Sequence, residues 1–175
     1  MTNRVLASIA VIFLAIILIR AEMRMDRIEE KLDDIVQTKE TIKYTPKDIE
    51  CLTKNIYYEA GIEDRVGKYA VANITVNRMK AGYWGKNICH VVYANKQFSW
   101  TLKKTLPKPN QNLWRESRDI ALAVLDGARV RGLKHSLYYH ADYIRQPYWA
   151  DTAEYVLTIG RHLFYNRAKN SNVYI

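Results

Sequence analysis

Asn55-Ile-Tyr-Tyr-Glu59-Ala-Gly-Ile-Glu63 is the stretch from which the rest of the chain can be read. Upstream of it, Thr45-Pro-Lys-Asp48 has the form of a helix start. Thr45 can cap, Pro46 suits the first helical position, and Asp48 stands where a capping-box acid belongs. Ile49, Leu52 and Ile56 then recur at helical spacing, and Gly61 supplies a stop. Glu59 therefore falls in the last turn of this helix, behind two tyrosines. The carbonyl end of a helix dipole disfavours a negative charge, and apolar neighbours do the same, so both raise a carboxyl pKa. That is the property of a general acid. A solvated glutamate near a helix end is the plain alternative.

Downstream, Asp64 caps a second helix that the spacing carries to about Lys80, with Gly82 as terminator. Val66, Tyr69, Ala70, Asn73, Ile74 and Val76 make its core face, in which Asn73 and Asn77 read as satisfied buried amides. Asn87–Tyr93 (NICHVVY) fits a short helix carrying Cys89 back toward Cys51, and Gln97-Phe-Ser-Trp100 has no clear period. A loop with Pro107 and Pro109 leads to Asn112, read as the cap of a helix to about Ala128. Leu113, Ile120, Ala121, Val124 and Leu125 form that helix's core face. Ser136–His140 and Leu157–Tyr165 alternate with period two and are read as two antiparallel strands bracketing the loop 141–151. Tyr138 and Tyr139 then point to opposite faces, so one of them lines a cleft. The fold class is α+β: a helical domain with a small antiparallel sheet.

The N-terminal part differs in kind. Val5–Ile19 is uncharged and almost wholly apolar between Arg4 and Arg20. As a helix it spans roughly 22 Å, against the ~30 Å of a bilayer's hydrocarbon core. We read residues 1–20 as a transmembrane signal anchor that stays in the inner (cytoplasmic) membrane as a single pass, with the remainder on the periplasmic or wall side. A cleaved signal peptide and a buried helix are the alternatives. Met25, Ile28, Leu32, Ile35, Lys39 and Ile42 follow at alternating spacings of three and four among charged residues, which makes 21–44 a helical stalk. The seam admits a weak dimer, and a solvated spacer fits it equally. The third segment, 45–175, is the globular domain.

All of the net charge of +9 lies beyond residue 44, where 20 Lys/Arg stand against 11 Asp/Glu. A basic domain suits nucleic acid, anionic lipid or an anionic polymer such as bacterial wall. Export across a membrane removes nucleic acid from the choice. Cys51 and Cys89 lie too far apart in sequence for a zinc pattern. They are buried thiols or a disulfide, and an oxidising compartment favours the disulfide.

With these segments in place, a likeness becomes visible. From about Ile49 to Tyr165 the chain resembles the SleB/CwlJ cell-wall hydrolase family, known from spore-cortex-lytic enzymes and from bacterial and phage proteins. The matching pieces are NIYYEA at 55–60, AVANITVNR at 70–78, ICHVVY at 88–93, QFSW at 97–100, LYYH at 137–140 and IGRHLFY at 159–165. One departure is that the family commonly reads EARGE where this chain has Glu59-Ala-Gly-Ile-Glu63.

The resemblance implies a lysozyme-like α+β fold and cleavage of the β-1,4 bond between N-acetylmuramic acid and N-acetylglucosamine in peptidoglycan. It places the catalytic acid at Glu59, acting alone as acid then base in a lytic transglycosylase that leaves 1,6-anhydro sugar ends. Hydrolysis instead requires two carboxylates, and the second would be Glu63 or Asp142, each also readable as a surface acid. Gln97, Phe98, Ser99, Trp100, Tyr139 and His140 lie in matching segments and suit sugar binding, with Phe98 and Trp100 equally readable as core. No cofactor is expected and no metal, because His140, Asp142 and His162 match no zinc motif. A non-catalytic, membrane-tethered wall-binding module is the rival reading. A phage endolysin and a host wall enzyme are both consistent with this layout.

Overall fold

The computed structural model describes residues 14–28 and 44–168. The chain divides into two compact units, Met1–Lys43 and Tyr44–Ile175. In the first, residues 14–28 are helical (α1) and exposed. Among the described residues no helix is long and apolar enough to cross a membrane. The anchor expected at 5–19 and the stalk expected at 21–44 fall partly on 1–13 and 29–43, outside the described residues.

The second unit begins with α2 (Pro46–Ala60), started by the capping box expected of Thr45 and Asp48. The Asp48 amide donates to Thr45 Oγ1 at 3.1 Å and the Thr45 amide returns to Asp48 Oδ2 at 3.1 Å. Asp48 Oδ1 also accepts from the Ile88 amide at 3.1 Å, which ties α2 to the start of the short helix α4 (Ile88–Val92). Cys51 and Cys89 close a disulfide at the same corner, as expected of an oxidised pair.

Between them runs α3 (Arg65–Ala81), capped by Asp64 and ended by Gly82 at φ 75°. It is buried around most of its circumference because α2, α4, α5 (Gln111–Leu125) and the sheet all pack on it. Its two asparagines are satisfied, as expected. Asn73 donates to the Ala128 carbonyl and accepts from the Val130 amide, while Asn77 donates to the carbonyls of Leu133 and Ser136. They fasten the connection into the sheet onto the helix. Val66, expected in the core face, is instead 51% exposed, while Gly67 and Lys68 of the same turn are buried.

Helix α5 starts two residues earlier than expected. Asn110, not Asn112, is the cap, with Oδ1 accepting from the amides of Asn112 and Leu113. Asn110 keeps extended backbone after Pro109, leaving Asn112 inside the first turn. The helix also ends at Leu125, ahead of the expected Ala128.

The sheet has three strands where two were expected: β1 (Ser136–Ala141), β2 (Glu154–Ile159) and β3 (His162–Asn166), in the order β1-β3-β2. Both pairings are antiparallel, with Tyr139 opposite Phe164 and Ile159 opposite His162. The run read as a single strand over 157–165 is broken by a two-residue turn, Gly160-Arg161. Gly160 takes φ 55°, which a glycine first in such a turn adopts without strain. One core cluster lies among the helices, and a smaller one around Phe164 lies between α3 and the sheet.

Candidate active site

Glu59 stands in the last turn of α2, as expected, and its Oε2 accepts a hydrogen bond from the Tyr139 hydroxyl on β1 at 3.1 Å. Burial is the main influence on its carboxyl and raises the pKa above the ordinary value. The Tyr139 hydrogen bond and the positive charge of Arg78 partly oppose it. Tyr139 is itself pushed well up, by burial first and then by the Glu59 charge, so its hydroxyl remains a donor. The tyrosine ring is held against Phe164 at 5.7 Å and His162 at 5.2 Å. Tyr138 faces the other way, against Trp84 and Trp149.

The turn that ends α2 is constrained from both sides. Gly61 has ordinary helical torsions, φ −58° and ψ −29°, but a Cβ there would run into the Tyr57 carbonyl oxygen. Glycine is needed for space, not for a left-handed backbone. Tyr57 accepts from the Asn110 amide at 2.9 Å, and Tyr58 stacks on Trp100 with centroids 5.0 Å apart. Trp100 donates to Asn55 at 3.1 Å, and Asn55 donates onward to Thr75 at 3.0 Å. The two tyrosines ahead of Glu59 thus brace the end of α2 against the segment from Trp100 to Asn110.

The expected sugar-binding residues divide. Phe98 and Trp100 are 2% and 4% exposed and belong to the helical core. Gln97 is half-buried and Ser99 exposed. His140 is buried on the sheet face away from Tyr139. Its Nδ1 donates to the Ala141 carbonyl and its Nε2 accepts from the Tyr165 hydroxyl, so both ring nitrogens are engaged within the fold.

The two other carboxylates converge on the β2–β3 turn. Glu63 Oε2 accepts from the Arg161 amide at 3.3 Å and packs against Gly160, leaving no room for a Cβ. Asp142 pairs with the Arg161 guanidinium at 3.1 Å. Neither hydrogen-bonds Glu59 or Tyr139. A hollow between α2 and α5, lined by Ile49, Glu50, Thr53 and Trp114, holds one acid, Glu50, which pairs with Lys54 at 2.7 Å. Among the described residues no cluster of three His, Cys, Asp or Glu side chains is placed to hold a metal ion.

Residues 62–165 match the profile of the cell wall hydrolase family. The chain belongs to that family. As a cell wall hydrolase it is a peptidoglycan-degrading enzyme, and the match begins three residues after Glu59. The fold is that of two solved catalytic domains. One is from the germination-specific lytic transglycosylase SleB of Bacillus anthracis, 22% identical with TM-score 0.58, covering 71% of this chain and 98% of the other. The second is from the Bacillus cereus SleB protein, 21% identical with TM-score 0.61, covering 71% and 94%. Among curated proteins none matches the sequence.

The sequence reading of this cell wall hydrolase missed Arg78. The residue is buried beside Tyr139 and acts electrostatically on Glu59. A signal was present. Arg78 follows Ile74 by four residues and Ala70 by eight, which places it on the buried stripe of α3 and not on its solvated face.

Proposed function

We propose that the enzyme is a lytic transglycosylase in which Glu59 is the single acid and base. The reading rests on one observation above the others: Glu59 is the carboxylate that Tyr139 contacts, while Glu63 and Asp142 are both engaged with Arg161. Hydrolysis by the usual routes needs a second carboxylate close to the first. Intramolecular displacement does not, because the substrate supplies the nucleophile.

The steps follow from the chemistry of the pocket. Glu59, whose carboxyl pKa burial raises above the ordinary value, gives its proton to the oxygen of the β-1,4 bond between N-acetylmuramic acid and N-acetylglucosamine. The C1–O4 bond breaks and the N-acetylglucosamine hydroxyl leaves. Glu59, now a carboxylate, takes the proton of the muramic C6 hydroxyl as O6 bonds to C1. The product is a 1,6-anhydro end, no water is consumed, and Glu59 is again protonated. Tyr139 steadies the carboxylate form between the steps. Gln97 and Ser99, beside the buried Phe98 and Trp100, are proposed to meet the sugar through their polar groups.

The domain is proposed to work at the wall side of the inner membrane, tethered through residues 5–19. Support comes from the apolar side chains of Leu14, Ile16, Ile17, Leu18 and Ile19, all exposed on α1, and from the basic excess beyond residue 44, which suits an anionic polymer. Extraction of membranes with alkaline carbonate tests the tether, which is refuted if the full chain is released.

Mass spectrometry of peptidoglycan digested by the full chain, with Glu59→Gln alongside, tests the chemistry. Anhydro-muramic ends that disappear in the variant are the expected result. Reducing ends would replace this reading with hydrolysis.

A further inference from the structure

Arg78 is held in a setting that its hydrogen bond alone does not require. It is 6% exposed, and its Nε donates to the Leu137 carbonyl at 2.7 Å. Its Nη1 is buried without a hydrogen-bond partner, and among the described residues no carboxylate forms an ion pair with it. Three rings enclose the guanidinium: Trp84 at 5.3 Å, Phe98 at 5.4 Å and Tyr139 at 5.8 Å from its central carbon. A neutral donor would serve the Leu137 carbonyl equally well. An enclosed cation is expensive to desolvate, and rings recover part of that cost. What a cation adds, and a neutral donor does not, is a field that reaches Glu59 through Tyr139's side of the pocket.

We propose that Arg78 is a positioning residue for the reaction, a fixed buried charge that lets Glu59 exist as a carboxylate once it has given up its proton. This rests on the reading of Glu59 as sole acid and base, and it answers a difficulty in that reading. A pocket dry enough to raise the carboxyl's pKa also resists the anion that the second step needs. The hydrogen bond from Tyr139 and the charge of Arg78 both act on the anion alone, against the burial that raises the carboxyl. Arginine suits the task because it does not surrender its proton in proteins.

The groups facing this pair are few. Glu59 comes from α2, and Tyr138 and Tyr139 come from β1. His162 on β3 lies against Tyr139, with Glu63 and Asp142 beyond it, and burial holds its pKa below the ordinary value. Near neutral pH the imidazole is therefore uncharged, and Arg78 is the cation whose effect reaches Glu59.

The full chain is compared with its Arg78→Met, Arg78→Gln and Arg78→Lys variants. The readouts are the pH profile of glycan cleavage and the titration of the Glu59 carboxyl by carbon NMR, assigned with Glu59→Gln. Both neutral variants should move the Glu59 titration, and with it the alkaline limb of activity, up by about one pH unit. The rate at the optimum should fall at least tenfold, and Arg78→Lys should restore the limb. A folded Met or Gln variant with an unmoved titration overturns the proposal. So does a chain that folds with lysine but with neither neutral residue, since Arg78 then serves the fold alone. If Glu59→Gln still cleaves, the single-acid reading fails by itself, and the NMR titration still reports whether the charge couples.

Discussion

The Tyr139 hydroxyl donates to Glu59 Oε2 at 3.1 Å across 80 residues of sequence. A donor to the carboxylate favours the ionised form, so replacing it has a definite sign. Tyr139→Phe leaves the ring against Phe164 and His162 and raises the Glu59 pKa further. In the proposed reaction the first proton transfer then stays available to higher pH, and the return of the proton becomes harder. The turnover rate should fall about tenfold, the equivalent of roughly 1.4 kcal/mol, with the thermal midpoint nearly unchanged. Steady-state assays across pH, paired with a thermal melt, check both halves.

Asp48 serves two helices, and its loss should be felt in both. Burial raises its carboxyl, but the Thr45 side chain, then the amides of Thr45, Cys89 and Ile88, outweigh that and hold the pKa below the ordinary value. A depressed pKa means stability that is present above the unfolded value near 3.9 and lost as pH falls through the folded one. Asp48→Ala should therefore cost about 2 kcal/mol at neutral pH. The gap between variant and wild type should narrow below about pH 4. Urea melts at pH 7 and pH 3 would show it, and a gap independent of pH would contradict the assignment.

The disulfide between Cys51 and Cys89 closes a sequence separation of 38 residues and joins α2 to α4. On the chain-entropy model a loop of that size contributes about 3 to 4 kcal/mol. Urea denaturation with and without reductant should differ by that amount. The double variant Cys51→Ser, Cys89→Ser should match the reduced protein and be indifferent to reductant.

Gly61→Ala tests whether the end of α2 is limited by space. The torsions suit alanine, so backbone preference predicts tolerance. The Tyr57 carbonyl oxygen in the way of a Cβ predicts the reverse. We expect a loss of about 1 to 3 kcal/mol, together with reduced cleavage because the displaced turn carries Glu59. A variant as stable and active as wild type would show that the turn relaxes freely.

Helix starts were legible because a cap is local chemistry. Thr45 with Asp48, Asp64 and Asn87 each carry an acceptor that meets an amide three residues on. Where two residues offered the same acceptor, as Asn110 and Asn112 do, the choice lay in backbone torsion, which composition does not display. The divided strand did leave a mark. Leu157 and Ile159 share the inner face with His162 and Phe164, so the period-two pattern slips phase across Gly160-Arg161. Reading the run as unbroken passed over that slip. Glu59 and Tyr139 stood out through their aromatic neighbours. Arg78 did not, because arginine in the last turn of a helix is ordinarily a solvated partner of the dipole. Trp84 just beyond the helix, Phe98 and Tyr139 on the sheet enclose it, and the last two are distant in sequence.

The strand order has a consequence in time. β3 lies between β1 and β2, yet it is the last of the three to be synthesised. Until it emerges from the ribosome, neither neighbour has a ladder to join, and Tyr139 on β1 has no Phe164 to rest against. Glu59 therefore waits for some 105 residues of elongation, until Phe164 follows it, on the order of ten seconds, before the pocket around it can close. On the proposed reading of Glu59 as the acid, activity arrives only with the final strand, and a chain that has not yet added β3 leaves the glycan intact.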